Sequence, residues 1–127
     1  LIVDDTYNSS PQSSLMALDA IKNIKLSERA KKIAVLGDML ELGQKSRELH
    51  KQAGGALGKS SIDMLIGIGR LAHIACDAAL EQAGLNRKVI YKCDTTAQAR
   101  DIVASLLKKG DFVLLKGSRA MRLEGIF

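Results

Sequence analysis

Met64-Leu65-Ile66-Gly67-Ile68-Gly69-Arg70-Leu71-Ala72-His73-Ile74-Ala75-Cys76-Asp77-Ala78-Ala79 decides the fold. Its first five residues are apolar or glycine with no polar alternation, the pattern of a parallel strand covered on both faces. After Gly69 the period changes. Leu71, Ile74, Ala75, Ala78 and Ala79 recur at helical spacing and form one apolar stripe. A buried strand that passes through a glycine turn into an amphipathic helix is half of a β-α-β unit.

The same unit repeats on either side. Leu1–Val3, Ile33–Leu36, Val89–Tyr91 and Phe112–Leu115 are further strand candidates, rich in Ile, Val and Leu. Leu15, Leu18 and Ile21 mark a helix after the first strand, and Leu49, Ala53, Ala56 and Leu57 one after the second. Ala99, Ile102, Val103, Leu106 and Leu107 mark the last. Ser10 before Pro11 reads as an N-cap and first-turn pair, and Thr95 with Gln98 as a capping box. Gly84 and Gly110 fall where helix C-caps are expected. Repeated alternation with short connections predicts an α/β fold: a single open, mostly parallel sheet with helices on both faces.

The chain has 127 residues, 46% of them hydrophobic, enough for one domain with a real core. Its longest apolar runs are too short to span a bilayer. A net charge of +5 with two Phe, two Tyr and no Trp gives no stacking platform for nucleic acid. That balance suits anionic small molecules such as nucleotides and carboxylates. Cys76 and Cys93 belong to no metal-like cluster and read as reduced thiols of a cytosolic protein. The chain starts inside an apolar run and stops at Gly125-Ile126-Phe127, so a fragment of a longer protein is expected.

Three short segments imitate known sites. Gly55-Ala56-Leu57-Gly58-Lys59-Ser60 looks like the end of a P-loop, but a helix leads into it and a strand follows, the reverse of the order a phosphate loop needs. Gly67-Ile68-Gly69-Arg70-Leu71-Ala72 fits the dinucleotide pattern with Asp94 downstream, yet it lies at the third strand. Tight strand–helix packing accounts for Gly67 and Gly69 better. Leu1-Ile2-Val3-Asp4-Asp5 and Lys116 resemble parts of a phosphoryl-accepting receiver domain. The acceptor position after the third strand reads Gly67-Ile68-Gly69, with no carboxylate, and Lys116 is followed by Gly117 rather than proline.

Ligands of an open α/β sheet meet the loops at the carboxyl ends of its strands. Three such segments stand out: Asp4-Asp5-Thr6-Tyr7-Asn8-Ser9-Ser10-Pro11, then Leu36-Gly37-Asp38-Met39-Leu40-Glu41-Leu42-Gly43 with His50 beyond it, and Leu115-Lys116-Gly117-Ser118-Arg119. In order and spacing they resemble the C-terminal, Rossmann-like domain of the Mur ligases, from Leu1 to Arg122. Ser10 stands where that family usually has an asparagine. The Asp-Asn-Pro-Arg segment of the diaminopimelate- or lysine-adding members is missing.

The resemblance implies residues 1–127 as the last domain of a three-domain enzyme of peptidoglycan precursor synthesis. The UDP-substrate and ATPase domains, with the P-loop and the Mg²⁺ ligands, would lie upstream. It implies ATP-dependent addition of D-alanyl-D-alanine to UDP-MurNAc-tripeptide through an acyl phosphate, with this domain closing over ATP and delivering the amine. By itself the domain is expected to be inactive and to hold neither ATP nor Mg²⁺ tightly. Asp5, Tyr7 and Asn8 are then expected at the ATP, with Asp5 on the ribose or on a Mg²⁺-bound water. Lys116, Ser118 and Arg119 are expected at the dipeptide carboxylate. Asp38 and Glu41 are the candidates for orienting the ammonium or taking its proton. His50 reads as a structural hydrogen-bonding residue. The rivals are a free-standing α/β module, receiver-like or dinucleotide-binding, that binds a nucleotide or partner without making a bond, and another ligase of the Mur or folylpolyglutamate type.

Overall fold

The computed structural model describes residues 2–5, 11–40, 42–83, 88–118 and 121–127. Five strands, β1 (Ile2–Asp5), β2 (Lys32–Gly37), β3 (Met64–Ile68), β4 (Val89–Cys93) and β5 (Phe112–Lys116), form one sheet in the order β1-β5-β2-β3-β4. Every neighbouring pair is parallel. The connecting helices are α1 (Pro11–Lys22), α2 (Ser46–Lys59), α3 (Arg70–Gln82) and α4 (Thr96–Leu106).

Handedness decides which face each helix covers. The steps β1→β2, β2→β3 and β3→β4 run the same way across the sheet, so right-handed crossovers place α1, α2 and α3 on one face. The return step β4→β5 places α4 on the other. The two cores follow. Leu18, Ile21, Leu57 and Ala75 meet Ala34, Leu65 and Leu114 on the first face. Val103, Leu123 and Ile126 meet Val35, Ile66 and Val113 on the second, where a closing 3-10 helix (Leu123–Ile126) completes the cover. The expected sheet and both-face cover are thus present, and the sheet is wholly parallel.

Details depart from the sequence reading for physical reasons. On α2 the buried residues are His50, Ala53, Gly54, Leu57 and Gly58, while Leu49 and Ala56 are only half-buried. The stripe turns because α2 meets α3 through glycine rather than through bulk. A Cβ on Gly54 would run into the Ala75 carbonyl oxygen, and one on Gly58 into that of Ala79. Similarly α3 buries Ala72, Ala75, Cys76 and Ala79 and leaves Leu71, Ile74 and Ala78 half-buried. Gly110 is not a helix cap. The C-cap of α4 is Leu107, and Gly110 sits further on, at φ +96, in the turn into β5. The Thr95–Gln98 capping box is formed. Ser10 and Gly84 lie outside the described residues.

Gly54→Ala is expected to destabilise the domain by about 2–3 kcal/mol, because the colliding atom is backbone and the two helices must separate. Gly55→Ala, one residue on, meets nothing nearer than Gln82 Cγ at 3.6 Å and should stabilise by about 0.5–1 kcal/mol through helix propensity. Urea unfolding of the two variants checks both signs.

Burial pushes the Cys76 thiol from its ordinary 9.0 up to about 12. The unfolded chain therefore loses this proton first, and stability held below pH 9.0 falls as pH climbs towards about 12. The urea midpoint should drop more steeply over that range in the wild type than in Cys76→Ala.

Candidate functional site

The carboxyl edge of the sheet collects the described residues of all three singled-out segments. In β1 Asp5 pairs in register with Lys116 of β5, and on the far side of β5 Lys116 pairs with Leu36 of β2. Segments more than seventy residues apart in the chain are therefore strand neighbours. The strands leave this edge towards different faces. After β2 and β3 the chain turns to the α2–α3 face, and after β5 to the α4 face. Such a reversal opens a crevice in many α/β sheets. Between β2 and β5 it is shut, because Gly37 and Gly117 meet backbone to backbone. A Cβ on Gly117 would lie 3.0 Å from Gly37 Cα and 2.8 Å from Leu123 Cδ1. Two other boundaries reverse in the same way, β3 against β4 and β1 against β5, and the second has Asp5 and Lys116 in register.

Asp38 is the first residue past β2. Its Oδ1 accepts from the Ala72 N–H at 2.8 Å, in the first turn of α3. The N-cap of α3 is Gly69, at φ +103, which offers no side-chain acceptor. The carboxylate of another loop thus does the capping, and its charge favours the positive end of the helix. The two carboxylate oxygens stand so close to Gly69 that a Cβ there would be 2.5 Å from each. This also disposes of the dinucleotide pattern, since the protein's own anion lies where a pyrophosphate would approach the helix. Gly67 serves packing, its missing Cβ making room for Cys76 Sγ. The P-loop imitation fails as well, because Gly55–Lys59 lies inside α2.

Ser118 ties the exit of β5 to the loop after β2. Its N–H donates to the Asp38 carbonyl at 3.1 Å, and its Oγ accepts from the Leu40 N–H at 2.7 Å. Lys116 is not part of an open basic turn. It is the last residue of β5, 3% exposed, on the face that α1 and α2 cover. Its stem lines a void of about 20 Å³ with Leu18, Ala53 and Leu57. His50 is fully buried and spans two elements: Nε2 accepts from the Met39 N–H at 3.0 Å, and Nδ1–H donates to the Ser46 carbonyl at 2.7 Å. It is structural, as its sequence setting suggested.

The backbone of Asp5 is described and ends β1. Tyr7, Asn8, Glu41 and Arg119 lie outside the described residues. Sequence reading missed two contributors. His73 Nε2–H donates to the Cys93 carbonyl at 2.7 Å, joining α3 to the exit of β4. Thr96 Oγ1 donates to the Met121 carbonyl at 3.1 Å, joining α4 to the segment after β5. Neither carries a motif. The one legible hint was Gly69 itself, a helix start without a side-chain cap. Among the described residues no three His, Cys, Asp or Glu side chains gather as metal ligands, and no helix is long and apolar enough to cross a membrane.

An all-parallel α/β sheet with helices on both faces is a Rossmann-like domain. The family model described as Mur ligase, glutamate ligase domain, matches residues 1–119, and the chain belongs to this family. It is 34% identical over 128 aligned positions to the UDP-N-acetylmuramoyl-tripeptide–D-alanyl-D-alanine ligase of Bacillus subtilis, covering 98% of this chain and 26% of that protein. It is 27% identical to the enzyme of that name from Haemophilus influenzae, covering 99% and 26%. Among solved structures, MurF ligase from Thermotoga maritima in complex with ADP superimposes with a TM-score of 0.75 at 33% identity, covering 98% of this chain and 26% of that one. MurF from Acinetobacter baumannii gives 0.77 at 29% over the same shares. The chain spans about a quarter of the length of the curated relatives it matches.

Asp38→Ala should cost about 1–2 kcal/mol by uncapping α3. Asp38→Asn keeps an acceptor and should cost about half a kcal/mol, the share owed to charge at the helix end. Thermal unfolding of both variants separates the hydrogen bond from the charge.

Proposed function

We propose that this chain is the C-terminal domain of a three-domain, ATP-dependent ligase that joins D-alanyl-D-alanine to UDP-MurNAc-tripeptide in peptidoglycan precursor synthesis. The observation that carries the reading is the meeting of Asp5, Asp38 and Lys116 at one edge of the sheet, within a domain whose relatives bear that enzyme's name. ATP phosphorylates the tripeptide carboxylate, the dipeptide amine attacks the acyl phosphate, and phosphate leaves as the amide forms.

Each group at the edge then has a task. Asp5, Tyr7 and Asn8 hold the ATP, the first ending β1 at the carboxyl edge of the sheet and the other two following it in sequence. Lys116, Ser118 and Arg119 hold the dipeptide's carboxylate. A cation that is already desolvated, as Lys116 is, binds a carboxylate more strongly than one in water. Asp38 and Glu41 act on the amine, which must be neutral to attack. Because one oxygen of Asp38 is committed to α3, Glu41 is the better candidate for the proton. Mg²⁺, when bound, neutralises phosphate charge. The family resemblance assigns its holders to the upstream domains. Closure of this domain excludes water, which would otherwise hydrolyse the acyl phosphate. The reaction's substrates place the work in the cytoplasm.

The test uses the protein extended upstream to its natural start. Phosphate release from ATP is measured with UDP-MurNAc-tripeptide, with and without D-alanyl-D-alanine. Release should require both, and Lys116→Ala or Arg119→Ala should lower kcat/KM for the dipeptide by about 10²-fold. A folded, ATP-binding protein with no dipeptide-dependent release would rule out the D-alanyl-D-alanine assignment.

A further inference from the structure

We propose that His50 is a positioning residue for the amine step, clamping the 38–42 loop, an inference that rests on the ligase reading above. Three consecutive residues of this loop are each tied to another part of the chain. Asp38 holds the α3 N-terminus and the exit of β5, Met39 holds His50 of α2, and Leu40 holds Ser118. Of these ties, the one to His50 is the most enclosed. The imidazole and Met39 are both fully buried, so no water can replace the bond if the ring is lost.

The ring is also fixed in one role. Nε2 accepts and is therefore unprotonated, while Nδ1–H donates to Ser46 four residues back on the same helix. That second bond sets the ring's orientation, and the first sets the height of the loop above α2. His50 touches no open surface and so acts only through the backbone it holds. In the sequence the next residue after Leu40 is Glu41, the acid assigned to the amine. A displaced loop would therefore impair delivery of the dipeptide and leave ATP, assigned to the β1 exit, little affected.

The experiment compares wild type, His50→Leu and His50→Gln in the upstream-extended protein, by hydrogen exchange and by kinetics. Leu fills the space without either bond. The Gln carboxamide oxygen can still accept from the Met39 N–H. In His50→Leu, amides of residues 38–42 should exchange on the order of tenfold faster while those of Met64–Ile68 stay unchanged. KM for the dipeptide should rise about tenfold with KM for ATP within about twofold, and Gln should recover part of both effects. Should the Leu variant fail to fold, Gln against wild type carries the comparison, with the same direction and a smaller rise.

Equal changes in the two KM values, or a loosened loop with an unchanged dipeptide KM, would overturn the positioning role. A loop that exchanges as in the wild type sinks the clamp whatever the turnover. No dipeptide-dependent turnover in the wild type, beside a loosened loop in the variant, sinks the ligase reading and leaves the clamp standing.

Discussion

The edge of this domain depends on one carboxylate. Helix α3 begins at a glycine with positive φ, directly after a fully buried strand, and has no cap of its own. Its first amides would otherwise sit close to the core without a partner, an expensive arrangement for backbone donors. Asp38 meets that need from the neighbouring strand. It can do so because β2 and β3 are in parallel register, with Gly37 opposite Ile68, so both chains leave the sheet at the same level. The same residue's carbonyl receives the Ser118 N–H, which brings the exit of β5 to that level too. Gly69 and Gly117 are then constrained: each must lack a Cβ for these loops to approach.

A second constraint runs through the helices. Parallel strands need cover on both faces, and three consecutive crossovers in one direction crowd α1, α2 and α3 onto one of them. Space for α2 beside α3 comes from Gly54 and Gly58, each facing a carbonyl of α3. The close approach also fixes where the N-terminal half of α2 lies, and with it His50. Core packing and edge geometry are thus one problem: the glycines that seat α2 set the distance over which His50 reaches Met39.

Strand positions and fold class were legible because buried parallel strands need unbroken runs such as Met64–Ile68, and few other structures do. Helix faces were legible only where apolar bulk does the packing, as with Ala99 and Val103 on α4. On α2 the interface is glycine, and a search for large side chains gives weight to Leu49 and Ala56, which are half-buried. Strand ends misled in another way. Asp5 and Lys116 read as loop chemistry, yet each ends a strand, and the burial of Lys116 depends on cover by α1 and α2 that no local pattern carries.

The distinction matters most at the edge. Acidic, basic and hydroxyl residues that recur at strand ends invite assignment to substrate, and Asp38 and Ser118 fit that description, with His50 in the helix beyond. Each is instead engaged with backbone: Asp38 with α3, Ser118 with Leu40, His50 with Met39 and Ser46. A polar side chain spent on another loop's amide is a positioning device, and its residue type is chosen for reach and acceptor geometry as much as for reactivity. On the proposed ligase reading, the same loops also carry Glu41, beyond Leu40, and Arg119, beyond Ser118, to the substrate, so Asp38 and Ser118 position as well as touch it. The motif is therefore better understood as two layers. An inner set of Asp38, His50 and Ser118 holds three loops at one height, and on the proposed ligase reading that common height brings groups from distant parts of the chain to one amine and one carboxylate.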